Sequence, residues 1–338
     1  MTFFILEKLI LILIIFGITL VIAMYATLAE RKFAAFFQDR IGPNRAGIFG
    51  LLQPLADGIK FFFKEEFIPA NANMFLFILG PSLSMIAACM TSAVIPWGQP
   101  IHLFGHEIPL QITDLNVGLL YIAGVVSLGV YGIMIGGWAS NNKYSVLSAI
   151  RASSQMISYE LAMGVALISL TLMTGTLSMK EIVAQQAGWH WNILVQPLGF
   201  LIFLICSFAE ANRVPFDLAE CETELVGGYH TEYSSMKLGF YLFSEYINMF
   251  IASAVMATLY FGGYNFPMMS HIDSGLLLTL LGVMTLFIKI FGLMFIFIWV
   301  RWTIPRFRYD QLMRLGWKIL LPLSIFNMCL TGLLSLLS

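Results

Sequence analysis

The sequence predicts an all-α polytopic membrane protein, and three observations predict it. It is 59% hydrophobic and only 11% charged over 338 residues, with a mean hydropathy of +0.84; that charged fraction is less than half that of an ordinary soluble domain. Its apolar stretches repeatedly reach the roughly 20 residues that a helix needs to cross about 30 Å of hydrocarbon. Its cations gather in four of the connecting segments. Eight transmembrane helices are predicted, near 9–29, 74–96, 116–138, 154–175, 195–213, 238–262, 275–300 and 317–336, in a single membrane domain, 1–338. The net charge of −1 gives no reason to expect a nucleic-acid partner.

Glu7 and Lys8 precede the first apolar stretch, which runs to Glu30, Arg31 and Lys32 without a small-residue cleavage site. It reads as a retained span and not as a signal peptide. The loop 30–73 then carries ERKFAAFFQDRIGPNRAG and LLQPLADGIKFFFKEEF. In the second piece Leu51, Leu52, Leu55, Ile59, Phe62 and Phe63 fall on one helical face, while Gln53, Asp57, Lys60 and Lys64 recur on the other. Pro54 is tolerable in a first turn. The pattern fits an amphipathic helix in the membrane interface, its apolar face bordering lipid or an apolar ligand. A helix that simply packs on the bundle fits it equally.

Between the second and third spans, WGQPIHLFGHEIPLQ within 97–114 predicts a turn or small hairpin. After the fourth, SMKEIVAQQA at 178–187 opens with Ser178 and Glu181 at capping-box spacing and predicts a short surface helix. His102, His106, His190 and His271 fall on this side without the spacing of metal ligands. The opposite loops hold Arg31, Lys32, Arg40, Arg45, Lys60 and Lys64 after the first span, then Lys143 and Arg151, then Arg213 and Lys237, and finally Arg301, Arg306, Arg308, Arg314 and Lys318. That is fifteen of the eighteen cations. By the positive-inside rule the loops 30–73, 139–153, 214–237 and 301–316 face the cytoplasm and both termini lie outside. Trp97, Trp138, Trp299, Trp302 and Trp317 fall at predicted helix ends, where interfacial anchors belong.

The functional signal lies in residues 206–237, CSFAEANRVPFDLAECETELVGGYHTEYSSMK, an acidic interruption between two strongly apolar runs. Glu210, Asp217, Glu220, Glu222 and Glu224 accompany a single cation, Arg213. A solvated loop accepts such charges freely, but Pro215, Phe216, Leu218, Leu225, Val226 and Gly227-Gly228 give this one the character of a folded, partly buried segment. Glu210 and Arg213, three apart, can pair on a helix that Pro215 stops. Glu220, Glu222 and Glu224 alternate, so an extended chain would set them on one face. Crowded carboxylates raise one another's proton affinity, which makes the cluster a plausible charge sensor.

Three further charges fall inside spans: Glu160, Glu245 and Lys289. A charge at mid-helix costs about 2.5–3.5 kcal/mol on insertion scales, so these groups cannot all face lipid. Buried Glu and Lys can pair as interhelical glue. Together with Glu210 and the acidic loop, the set reads better as a hydrated proton path. The four cysteines, Cys89, Cys206, Cys221 and Cys329, form no CxxC, so no disulfide framework and no zinc or iron–sulfur site is expected.

Three long motifs, ERKFAAFFQDRIGPNRAG, EANRVPFDLAECETELVGGYHTEYSSMK and RWTIPRFRYDQLMRLGWK, resemble the signature loops of the H-subunit family of respiratory complex I, the proton-pumping NADH:quinone oxidoreductase. The similarity runs along the whole chain. It implies a multi-pass protein of the bacterial inner membrane at the heel of the membrane arm, assembled with other complex I subunits and bathed in the lipid bilayer. Quinone is then the substrate, and FMN and the iron–sulfur clusters belong to partner subunits; this chain binds no cofactor or metal of its own and is not catalytic alone. By matching motif, Glu30, Arg31, Gln53, Asp57, Lys60, Glu66, Arg213, Asp217, Glu220, Glu222 and Glu224 would border the quinone chamber. Glu160, Glu210 and Glu245, with Lys289, would continue the proton path, and Arg306, Arg308, Tyr309, Asp310 and Arg314 would contact neighbouring subunits. Some relatives carry an additional carboxylate on the third span, where this chain offers Ser127, Tyr121 and Tyr131; water or a hydroxyl would serve there. Two other assignments need the same buried charges: the corresponding component of a membrane-bound hydrogenase or formate-oxidising complex, and a free-standing ion-coupled transporter.

Overall fold

The computed structural model describes residues 2–103, 106–218, 226–267, 269 and 275–337. The helices are α1 (Thr2–Phe37), α2 (Gln53–Phe63), α3 (Met74–Thr91), α4 (Gly118–Ala139), α5 (Lys143–Thr174), α6 (Met179–Gln185), α7 (Asn192–Val195), α8 (Pro197–Glu210), α9 (Ser235–Tyr260), α10 (Leu276–Thr303), α11 (Tyr309–Arg314) and α12 (Leu321–Leu337). α11 and α12 join through a π-helical turn at Leu315–Leu320. Among the described residues, seven helical segments are long and apolar enough to cross a membrane. They make the chain a multi-pass, all-α membrane protein.

Caps set the ends of several helices, and α5 begins at Lys143, within the predicted loop 139–153 and eleven residues before the predicted span 154–175. The Asn73 side chain accepts from the Phe75 and Leu76 amides at the start of α3, and Asn142 accepts from the Tyr144 amide at the start of α5. Gly175 closes α5 in the left-handed conformation, φ 69°. The predicted span 195–213 differs. It takes the form of α8, 14 residues long, whose rise of about 21 Å falls short of a roughly 30 Å hydrocarbon core. Pro197 begins it, and the preceding Gln196 turns into the bundle to donate to the Ser169 carbonyl at 3.0 Å and Thr331 Oγ1 at 3.1 Å. At the other end the left-handed Asn212, φ 47°, turns the chain just beyond Glu210.

Charged side chains collect at one end of the bundle, where α1 and α10 finish, α8 ends and α9 begins. The far end carries the antiparallel hairpin Ile101–Leu103 with His106–Ile108, as the Gly and Pro punctuation predicted, and α6. α12 runs alongside α5 toward this far end: Trp317 Nε1 donates to Ser158 Oγ and Asn327 Nδ2 to Ser169 Oγ. At the other terminus of the chain, Lys8 Nζ donates to the Gln111 carbonyl beside the hairpin. α1 therefore starts, and α12 finishes, at the far end.

Two local expectations are corrected. The Ser178–Glu181 capping box does not form; Thr176 Oγ1 instead accepts from the Ser178 amide and donates to the Glu181 carboxylate, and Met179, Ile182 and Val183 bury one side of α6. Trp97 is not an interfacial anchor. It is 7% exposed and stacked between Phe250 and Phe287 at 5.8 and 6.1 Å, whereas Trp138, Trp299, Trp302 and Trp317 are exposed. His190 is exposed, and His271 lies outside the described residues.

α3 and α4 approach closely because glycines line their seam. A Cβ on Gly80 would lie 2.7 Å from the Gly136 Cα, and one on Gly136 would lie 1.8 Å from Tyr241 Oη. The space is taken by two tyrosines, Tyr241 donating to the Gly132 carbonyl and Tyr233 to the Gly136 carbonyl, each at 3.0 Å. Gly136→Ala should therefore destabilise the protein by about 1–3 kcal/mol, the range for overpacking, while Gly124→Ala, which meets nothing within 4 Å, should be neutral. Thermal stability of the purified variants checks both.

Candidate functional site: a two-arginine node and a carboxylate cavity

Near the end of α1 the Glu30 carboxylate is buried, and each of its oxygens takes an arginine. Arg213 Nη1 reaches Oε2 at 2.9 Å, and Arg301 Nη1 binds Oε1. Arg213 also lies over the Tyr246 ring of α9, 4.1 Å from its centroid. One carboxylate thus ties the ends of α1 and α10 to the segment beyond α8 and to the side of α9. Burial opposes the charge on Arg213, but Glu30, then Tyr246 and Glu245, more than offset it, and the guanidinium pKa lies above its ordinary value. The expected Glu210–Arg213 pair does not form. α8 stops at Glu210, and the left-handed turn at Asn212 swings Arg213 round to Glu30.

Around this node the other predicted residues fall into small groups. Arg31 Nη1 meets Asp57 Oδ2 at 2.6 Å, and Gln53 Nε2 donates to Asp57 Oδ1 at 3.0 Å, joining α1 to α2. α2 thereby turns its polar side and Pro54 inward, and its apolar face points away from the bundle, with Phe62 70% and Phe63 87% exposed. This decides between the two readings of the amphipathic pattern: the helix does not bury its apolar face against its own chain. Lys60 is exposed. Glu66 pairs with Lys237 at the start of α9, and Arg306 Nη2 with Asp217 Oδ2 at 3.1 Å. Arg306 therefore belongs with the acidic loop. Tyr309 Oη lies 2.7 Å from Ser154 Oγ, beneath Arg151. Arg308 and Asp310 form an exposed pair of their own, and Arg314 is exposed. Glu220, Glu222 and Glu224 lie outside the described residues.

Behind the node, α3, α4, α5, α8 and α9 enclose a cavity of about 70 Å³, room for a few water molecules. Glu210 and Glu245 both line it, with Ser84, Thr91, Ser207, Ser244, Asn212 and Asn248. Tyr229 reaches Glu245 Oε1 at 3.4 Å. Glu160 sits beside this space on α5 and accepts from Ser127 Oγ of α4 at 2.5 Å. Of the three polar side chains named on the third span, Ser127 is the one bonded to Glu160; Tyr121 donates to the Met90 carbonyl and Tyr131 is exposed. Lys289 stands apart from these acids, its ammonium donating to the carbonyls of Phe261, Gly263 and Asn265 at 2.6–2.8 Å.

Sequence reasoning missed Arg301, Asn248 and Tyr229. Arg301 is the first cation after its span and Asn248 lies one turn from Glu245, so both left a signal; Tyr229 left none that separates it from the other tyrosines.

The family model described as NADH dehydrogenase matches residues 9–332. The chain belongs to this family. It is 64% identical over 337 residues to the H subunit of the NADH-quinone oxidoreductase of Flavobacterium psychrophilum, covering 99% of this chain and 98% of that protein. It is 65% identical over 331 residues to the first of the numbered H subunits of the same enzyme from Cytophaga hutchinsonii, covering 97% and 96%. To the H subunit from Thermomicrobium roseum it is 47% identical over 332 residues, covering 96% and 94%. These family relationships do not favour the hydrogenase-type or transporter assignments.

Breaking one side of a buried ion pair costs about 3–5 kcal/mol, because a charge stays behind unpaired. Glu30→Gln should therefore lower the thermal stability of the assembled protein markedly. The double variant Glu30→Gln/Arg213→Gln, which removes both buried charges, should recover part of the loss, and a double variant as unstable as the sum of its singles would contradict the pairing.

Proposed function

We propose that this chain is the membrane component of an NADH:quinone oxidoreductase that forms much of the quinone chamber on its charged face and couples quinone reduction to proton translocation. The observation that carries the reading is the adjacency of two features. A node of buried charge, Glu30 with Arg213 and Arg301, stands at the charged end of the bundle, and behind it Glu210 and Glu245 face one cavity with room for a few water molecules. On this reading the charged face is cytoplasmic, both termini lie on the periplasmic side of a bacterial inner membrane, and the fifteen cations in or beside the predicted cytoplasmic loops support it.

Electrons reach the quinone from flavin and iron–sulfur centres held by partner subunits of the peripheral arm. The part this chain plays is protonic and structural. The bare apolar face of α2 offers a surface for an apolar tail or for lipid. Arg213, fixed by Glu30, holds positive charge next to Asn212, which lines the cavity, and Asp217 pairs with Arg306. A change of charge in the chamber alters the proton affinity of Glu210. Through the cavity it reaches Glu245 and, past Ser127, Glu160, which hands it on to neighbouring membrane subunits. Arg308 and, on α11, Asp310 and Arg314 remain exposed for those neighbours.

The test compares two acceptors in the purified complex. Glu210→Gln should leave NADH oxidation by a water-soluble artificial acceptor at the wild-type rate and reduce coupled oxidation by a long-tailed quinone at least tenfold. Wild-type quinone reduction and pumping in an assembled Glu210→Gln complex would overturn the reading.

A further inference from the structure

The cavity has a far end, and what closes it is assigned no role in the reading above. From Glu210 and Asn212 near the charged face it reaches Thr91, Ile122 and Val255. Thr91 is the last residue of α3, and Ile122 lies in the second turn of α4. Beyond them sits an apolar layer made by Val94, Ile95, Ile182 and Val183, each fully buried. The turn 261–265 that follows α9 packs against Val183 of this layer. A Cβ on Gly263 of this turn would lie 2.9 Å from Val183 Cγ2, so turn and α6 are in close contact.

Side chains hold that turn in place. Asn265 Nδ2 donates to the Val183 carbonyl at 2.6 Å, which binds the turn to α6, and Gln186 Nε2 donates to the Thr258 carbonyl at 3.0 Å. Lys289 reaches out from the middle of α10 and spends all three ammonium protons on the carbonyls of residues 261, 263 and 265. The Trp191 ring centroid lies 5.2 Å from its Nζ. A lysine ammonium has three donors and no acceptor. Giving up one of these protons would leave a carbonyl of the turn without its donor, so the geometry is that of a clasp and not of a relay. Its charge is well placed too, against the carbonyl-rich C-terminus of α9.

We propose that Lys289 is a positioning residue that latches the 261–265 turn and α6 as a lid over the far end of the carboxylate cavity, closing it to the periplasmic side. The cavity then exchanges protons only with the charged face and with neighbouring subunits, and the fixed positive charge repels a proton that would leak across the lid. This rests on the reading of the cavity as proton-accessible.

The test uses the assembled complex in sealed liposomes, without NADH, and follows the passive decay of an imposed pH difference. Lys289→Gln should speed the decay several-fold while NADH oxidation by quinone persists, and Asn265→Ala, which loosens the same lid without touching Lys289, should speed it by a smaller factor. Liposomes as tight as wild type with both variants overturn the latch. So does a tight Lys289→Gln complex that has lost pumping, since that is the behaviour of a relay. If Lys289→Gln does not assemble, Asn265→Ala decides by the same criterion. Pumping by Glu210→Gln is measured in parallel: if it matches wild type, the proton reading of the cavity fails whatever the leak, and if it is lost while the lid variants stay tight, only the latch fails.

Discussion

A buried carboxylate shared by two guanidinium groups is the constraint on which the charged end of this protein depends. Glu30 could not be placed inside a bundle of apolar helices alone, because an unpaired charge there is costly. Arg213 and Arg301 supply one partner to each oxygen, and each arrives from a different part of the chain. The node therefore holds the last turns of α1 and α10 together with the chain that turns after α8. That turn also sets Glu210 facing the cavity instead of its neighbour Arg213.

From this node the arrangement spreads in two directions. Toward the surface, Arg31 with Asp57 and Gln53 holds the polar side of α2 against the bundle and leaves the apolar side bare. Toward the interior, the glycine seam of α3 and α4 and the tyrosines wedged into it bring α9 close enough for Glu245 to share a cavity with Glu210. Farther on, the helices close against the clasped turn 261–265. Several polar side chains of the bundle, Gln155, Gln186, Asn192 and Asn265 among them, donate to backbone carbonyls, as a membrane interior favours.

Much of this was legible in the sequence because hydropathy, cation placement and caps act locally. The long apolar spans, the hairpin at 101–108, the helix at 179–185 and the amphipathic α2 all follow from patterns within a few turns. What was not legible depends on contacts between distant segments. Nothing near Arg213 says that its partner lies 183 residues earlier; its nearest acid, three positions before, was the local choice and the wrong one. Lys289 reads with the acid series in the sequence because it is charged and mid-span, and its hydrogen-bond partners cannot be read there. Its actual partners are carbonyls of a turn that no periodicity reveals. Trp97 failed for a similar reason: its place at a helix end fits an anchor, but the room between Phe250 and Phe287 is a property of the fold.

The central claim is that Glu210 and Glu245 change protonation when quinone is reduced. Reaction-induced infrared difference spectroscopy of the assembled complex reads this directly, through the carbonyl stretch of protonated carboxyl groups on reduction with NADH. The account predicts a carboxyl difference band in the wild type that weakens or disappears in Glu210→Gln and in Glu245→Gln. A band of unchanged position and size in both variants would contradict it.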